Sequence, residues 1–435
     1  MVASHDAEAL ARNPVVDFDL FASTTRAASD EAWREVRAQC PIAWSDRNGG
    51  FWVVSGYEAV AAAFRDWEHF SSARTNPEIC AITLGGNRLP LLTPEEIDPP
   101  DWYPLRRVLS ELLAPRAAER LRPRVQHWTT HFIDEIIESG HCEFTHDISV
   151  PVPGSVTLEW MGFPSSDWKT IAESFHDVAA YSPGTVEFRN ATLAFGSVTT
   201  RITEEIEARY RDPRDDAMTA IAFHEIDGAR IPRTVAESIV FMTVAGGVDT
   251  TTALIGAALL HLSQFPDDRR RLVEEPELLG TATEEFLRYY PPARSHARTV
   301  MKDVDFAGCH MRKGDRVLLS EIASGRDGEV FADPERFVID RTPNRHLSFG
   351  VGIHRCVGSH LARIEFVEVI QAILTRMPDF QIDEDGVTEY PNWATIGGWA
   401  TLPARFTPGK RSGREAVDRP FSRSSGRRRP RGRRL

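Results

Sequence analysis

The sequence predicts a mainly α-helical fold with small β-sheets, α+β in class, and three observations lead there. The chain has 435 residues, 42% of them hydrophobic, which is enough for a substantial core. Apolar residues recur at helical spacing from about residue 118 to about residue 290. Strand-like apolar runs beside glycine turns fall toward the two ends instead. Length alone would suggest two or three domains, but no internal repeat or linker breaks the chain before residue 409. Residues 1–409 are therefore expected to form one domain.

Near the N-terminus, Phe51-Trp52-Val53-Val54 leaves the tight turn Asn48-Gly49-Gly50 and reads as a strand. Tyr57 to Arg65 follows with helical spacing. A long helix is expected over about Ala118 to Glu138, with Leu121, Val125, Trp128 and Phe132 on one face. Further helices follow, broken at Pro153, Pro164, Pro183 and Asp212-Pro213. Strands are expected to return over Val304 to Leu319 around the turn Lys313-Gly314-Asp315, and a last helix over Val357 to Arg376.

Charge and cysteines narrow the function classes. Residues 410–435 hold eleven Lys or Arg against two acidic residues, a local +9. The whole chain is −12, so residues 1–409 carry −21. An acidic body argues against a nucleic-acid enzyme, and the basic tail has almost no apolar residue to bury, as in a disordered end. Cys40, Cys80, Cys142, Cys309 and Cys356 are odd in number and scattered, which argues against a disulfide framework and for a reducing compartment. Met1 to Phe21 lacks a basic start followed by an apolar run, so no signal peptide is read there and a cytoplasmic location is expected. Ser238 to Phe265 is long enough to cross a bilayer. Asp249 sits near its middle, however, where a charge would cost several kcal/mol, so a buried central helix and no membrane are expected.

The strongest chemical signal is Phe349-Gly350-Val351-Gly352-Ile353-His354-Arg355-Cys356-Val357-Gly358. Its glycines allow positive φ and a close approach to a flat ligand. One cysteine just before a helix faces free N–H groups and the positive end of the helix, which favour its thiolate. A zinc site using His354, Cys356 and His360 competes, as does a buried structural cysteine, but neither needs the glycine bracket.

The run resembles the haem-binding loop of the cytochrome P-450 family, Phe-x-x-Gly-x-His/Arg-x-Cys-x-Gly, matched at every fixed position. With the motifs below, the resemblance covers roughly residues 14 to 408. It implies the cytochrome P-450 fold, with haem b (iron protoporphyrin IX) between the long central helix and the Cys-loop helix, and Cys356 as the iron's axial ligand. Ala245-Gly246-Gly247-Val248-Asp249-Thr250 is similar to the family's oxygen-activation motif. Paired glycines weaken a helix locally and a Thr hydroxyl can bond back to the carbonyl four residues earlier. By resemblance Thr250 would donate to bound dioxygen and Asp249 would connect it to a proton source. Glu285-Phe286-Leu287-Arg288 pairs on one helical face, and Pro334-Glu335-Arg336-Phe337 resembles the motif whose arginine joins that pair, so Glu285, Arg288 and Arg336 are expected to form a buried lock. The haem propionates would be met by Arg106, Arg298 and His346. The family often has His where this chain has Trp102, whose indole N–H still donates without carrying charge. Gly325-Arg326-Asp327-Gly328 also departs from the common Asn-Arg-Asp-Pro and is expected to affect loop rigidity.

The resemblance places substrate against residues 75–92, residues 178–195, the central helix including Val244 and Ala245, the segment Pro292 to Ala297, and Thr395-Ile396. Arg294 and His296 stand out in this mostly apolar set, and Arg294 is read either as an anchor for a substrate anion or as a partner of an internal acid. The implied reaction is insertion of one atom of O2 into a small hydrophobic molecule by a monomer. The sequence carries no dinucleotide fingerprint and no cysteine cluster, so electrons would come from a ferredoxin and a ferredoxin reductase. A non-oxygenating haem-thiolate isomerase or dehydratase, and a haem-based sensor or carrier, are the alternatives. Neither needs Asp249-Thr250.

Overall fold

The computed structural model describes residues 14–77, 79–84, 90–181 and 185–412. Most of the basic tail lies outside the described residues, as do residues 78, 85–89 and 182–184 of the expected substrate-lining stretches.

Helices make up the body and five short strands make the largest sheet. Strands Ile42–Ser45 and Phe51–Val54 form an antiparallel hairpin across the turn expected at Asn48 to Gly50. Phe51–Val54 then pairs in parallel with Arg316–Ser320, so residues 265 positions apart, such as Val53 and Leu318, sit in register at about one strand spacing. Ser295–Val300 and Phe70–Ser71 complete the sheet on the far side. The indole N–H of Trp52 donates to Asp315 at 2.9 Å and ties the hairpin to the turn before Arg316–Ser320. The strands of the two chain ends are therefore parts of a single sheet.

The helix expected over residues 118–138 is two helices, Pro115–Glu119 and Arg122–Ile136. A proline stands in the first turn of each, where its missing N–H has no helical partner to lose. The last long helix starts at Ser359 because Gly358 still belongs to the preceding loop.

At the centre runs Arg233–Gln264, 32 residues of uninterrupted helix. It packs against Pro151–Met161, Trp168–Ala180, Val186–Arg211 and Ser359–Arg376. The helix is long and apolar enough to cross a membrane, yet 67% of its most apolar window is buried inside the protein. Burial on all sides explains an apolar run with no polar stripe. It also means that each polar side chain in its middle must find a partner within the protein.

Candidate active site

A cavity lies between this central helix and the loop that leads into Ser359–Arg376, and Cys356 forms part of its wall. The loop is shaped by its glycines. Gly350 and Gly352 have φ of 61° and 79°. A Cβ on Gly352 would come within 2.5 Å of the Phe64 carbonyl oxygen, so only glycine lets the loop lie against the helix Tyr57–Arg65. The turn closes where the Cys356 N–H donates to the Phe349 carbonyl at 2.8 Å. Burial pushes the Cys356 thiol up, against the Gly358 N–H and Arg106, which favour its thiolate. The helix terminus alone therefore does not settle the thiolate. A metal cation in contact with the sulfur would, because it deprotonates a ligating thiol outright.

On the central helix, Met242, Thr243, Gly246, Gly247, Thr250 and Thr251 face the cavity. Thr250 donates to the Gly246 carbonyl at 3.0 Å, the back-bond its spacing predicts. The helix is not broken there. The groove arises because Gly246 and Gly247 present no side chain, and a Cβ on Gly247 would also press to 2.7 Å on the Thr157 hydroxyl. Val244 and Ala245, expected on the cavity, belong to the other face. Val244 is fully buried in the core, and Ala245 packs against the same cluster. The helix is turned by about one position from that expectation, since one residue is a 100° rotation.

Opposite charges crowd one end of the cavity. Arg106 and Arg298 both reach it. Arg298, 3% exposed, donates to the Ala297 carbonyl at 2.8 Å and lies over the Phe64 ring. Arg106 donates to the Arg355 carbonyl and lies 5.9 Å from the Trp102 ring. The Trp102 indole nitrogen is buried with no protein acceptor. His346 does not belong to this group. It accepts a place against Glu284 at 3.0 Å, beside Arg363 on the same carboxylate, and its ring is nearly enclosed. The imidazole of the Cys loop that lines the cavity is His354, two residues before Cys356, held at 3.0 Å from the Ser72 hydroxyl. The motif carries that signal in its own His position, which the zinc alternative had absorbed.

Arg294 is not a substrate anchor. Its guanidinium is 2% exposed, lies over the Trp393 ring, and bonds Asp30 at 2.5 Å and Ser29 at 3.1 Å. A buried guanidinium needs an anion, and this one is supplied by the chain itself. His296 does line the cavity, bonded to Glu321 at 2.5 Å and 3.8 Å from Glu95. Burial works against its charge, but the two carboxylates raise its pKa. Thr395 and Ile396 do not line the cavity. The Thr395 carbonyl accepts from the Arg294 N–H, and Ile396 bridges to Ala293 behind the wall.

Beneath the loop, Glu285 and Arg288 form a bidentate pair with both distances 2.7 Å and neither side chain exposed. Their third partner is Arg341, whose Nε lies 3.1 Å from Glu285, while Arg336 is exposed and offers only its carbonyl to Arg288. The motif resemblance pointed to Arg336, but the chain turns at Asp333 to Val338 and leaves that side chain exposed.

Two buried groups were not visible in the sequence. Glu365 sits on the cavity wall beside Thr251, and burial pushes its carboxyl well above the ordinary value. Its signal was an acid at helical spacing among Leu361, Phe366 and Val369. Asp249 bonds the Tyr390 hydroxyl at 2.8 Å, and that hydroxyl is 2.9 Å from His176. No spacing rule could have joined residues 176, 249 and 390.

The set fits an iron porphyrin better than a bare ion. Among the described residues no cluster of three His, Cys, Asp or Glu could hold a metal ion alone. A lone thiol on the wall, one buried and one half-buried guanidinium and an orphaned indole N–H instead suit one axial bond and two carboxylates.

Known proteins give the same answer. A family profile described as Cytochrome P450 matches residues 160–392, more than half of the chain. The polyketide biosynthesis cytochrome P450 PksS of Bacillus subtilis is 31% identical over 286 residues, 66% of this chain and 70% of its own. The steroid C26-monooxygenase of Mycobacterium tuberculosis is 28% identical over 381 residues, 87% of this chain and 93% of its own. The crystal structure of myxobacterial cytochrome P450 CYP267B1 in complex with myristic acid has a TM-score of 0.79 at 29% identity, covering 89% of this chain and 98% of that one. The chain belongs to the cytochrome P450 family and is a haem-dependent monooxygenase.

Proposed function

We propose that this monooxygenase inserts one oxygen atom into a C–H bond of a small hydrophobic molecule, using electrons from a separate ferredoxin and ferredoxin reductase. The observation that carries the reading is a mostly apolar cavity whose wall includes both Cys356 and Thr250. Haem, when bound, supplies the oxygen-activating chemistry. Cys356 would be its thiolate ligand, and the Gly358 N–H that favours the thiolate would also withdraw charge from the sulfur and tune the site. Arg106, Arg298 and His354, which line the cavity, would hold the haem's two propionates, with the unpartnered Trp102 indole N–H beside Arg106. Thr250 can exchange its bond to the Gly246 carbonyl for one into the cavity, and the neighbouring acid Asp249 replenishes its proton. Leu109, Leu113, Trp160 and Leu254 keep water from the reacting end.

The hydrophobic substrate class draws support from relatives. CYP267B1 was solved with myristic acid, and CYP109E1 from Bacillus megaterium, 26% identical with a TM-score of 0.78, with testosterone. Arg355 is exposed next to Cys356, and Arg107, Arg116 and Arg345 are exposed on nearby segments, which gives an acidic donor a basic face. Arg363 is not part of it, being turned inward onto Glu284. The test of the reading is the reduced carbon monoxide spectrum. A strongly red-shifted Soret band is expected and must vanish in Cys356→Ala; a variant that kept it would remove Cys356 as ligand. Product formed under labelled dioxygen should carry the label.

A further inference from the structure

We propose that Tyr390 and His176 form a proton-feeding pair for Asp249, which connects the acid beside Thr250 to the protein surface at His146. The inference rests on the role given to Asp249 and Thr250 above.

Asp249 is 5% exposed in the middle of the central helix, with its side chain directed away from the cavity that Thr250 faces. A buried carboxylate needs one good partner. This one has two that also bond each other: Tyr390 donates to Oδ1 at 2.8 Å, and the His176 Nδ1 is 2.9 Å from the Tyr390 oxygen and 3.5 Å from Oδ1. His176 is fully buried, and its other nitrogen, Nε2, has no protein partner. Beyond it lies His146, ring edge to face at 5.4 Å, and His146 is exposed. Glu173, its ion-pair partner Lys169 at 3.9 Å, and Asp177 lie on the helix that carries His176 and stand around the outer end. Burial raises both of their carboxyls, which brings them closer to neutrality than an ordinary acid. Solvent, His146, His176, Tyr390 and Asp249 thus form an ordered series in which each member can both accept and release a proton.

Each hop balances. A proton enters His176 at Nε2 while the Nδ1–H bond breaks and its proton bonds the Tyr390 oxygen. The Tyr390 O–H bond breaks as its proton bonds Asp249 Oδ1. The neutral acid is then free of its anion's partners and can turn toward Thr250. A turn of the His176 ring, which brings the protonated nitrogen to the Tyr390 side and the bare one to the His146 side, restores the starting arrangement.

The test compares Tyr390→Phe and His176→Gln with Asp249→Asn in the haem-loaded enzyme, each retaining its carbon monoxide spectrum. Hydrogen peroxide brings its own protons, so the readout is the ratio of NADH-driven to peroxide-driven product. That ratio should fall about tenfold or more in all three. The second readout is the His176 ring titration by NMR in the diamagnetic reduced carbon monoxide complex, which should move by about one pH unit in Tyr390→Phe. If Asp249→Asn lowers the ratio while Tyr390→Phe and His176→Gln leave ratio and titration as in the wild type, the pair is refuted and Asp249 keeps its role. If Asp249→Asn itself leaves the ratio unchanged, the underlying reading fails and takes the pair with it. Equal loss of both activities in Tyr390→Phe would mark a packing role and refute the relay.

Discussion

Replacing Glu285 with Gln keeps the shape of the side chain and removes its charge, which makes it a clean probe of the lock beneath the Cys loop. The carboxylate accepts from Arg288 twice at 2.7 Å, from Arg341 at 3.1 Å, from the Val338 N–H at 2.7 Å and from Asn344 at 3.0 Å. Arg288 also donates to the carbonyls of Gly325, Pro334 and Arg336, but both Glu285 oxygens accept from N–H donors, so the Gln amide NH2 loses acceptor bonds along with the counter-charge. Leaving a buried guanidinium without its anion costs about 3–5 kcal/mol. Against a typical folding stability of about 5–15 kcal/mol, that is a large share. Arg341→Met should cost less, about 1–2 kcal/mol, since Glu285 keeps Arg288. Arg336→Met should stay within about 0.5 kcal/mol, because its side chain is exposed. Urea unfolding, followed by far-ultraviolet circular dichroism at matched haem occupancy, gives the midpoints, and an unchanged slope shows that stability alone has moved. Arg336→Met as costly as Arg341→Met, or Glu285→Gln below about 1 kcal/mol, would refute the assignment.

Thr250→Ala should keep haem and substrate binding while product per NADH drops and peroxide rises; unchanged coupling would remove Thr250 from proton delivery. Arg294→Met should lower stability by about 1–3 kcal/mol, softened because Arg26 and Arg326 also reach Asp30. The relative affinity for hydrophobic acids and their methyl esters should not change, and an acid-selective loss of binding would restore the anchor role. Glu284 is held down to about 2, since Arg363 and His346 outweigh the burial that opposes its charge. Its folded value is depressed, so its contribution is complete above its ordinary 4.5 and is lost as pH falls toward 2. Glu284→Gln should therefore destabilise by about 2–3 kcal/mol at neutral pH, and the gap to wild type should close below pH 4.5. A gap that stays constant across that range would show that charge is not the cause.

Much of the chemistry was legible because it is local. The loop Phe349 to Gly358 is ten consecutive residues whose glycines and cysteine work at fixed spacing, and the Thr250 back-bond spans one helical turn. The Glu285–Arg288 pair is likewise three residues apart on one helix. Where a function needs a partner far along the chain, spacing fails. His346 and His354 are both imidazoles near Cys356, and only the path of the loop decides that one meets Glu284 and the other the cavity. Arg336 and Arg341 are both near enough in sequence to reach Glu285, and only the turn between them selects Arg341.

By itself, then, the sequence determined the helix-rich class, the cysteine ligand loop, the glycine-lined stretch of the central helix and the apolar character of that helix. These follow from backbone freedom, hydrophobic period and neighbours within about one turn. The tertiary structure alone decided that strands 265 residues apart share one sheet, that Arg294 spends its charge on Asp30, and that Asp249 meets Tyr390 and His176. Such contacts are chosen by the global packing that satisfies each buried charge. No local pattern encodes which distant side chain will be there to do it.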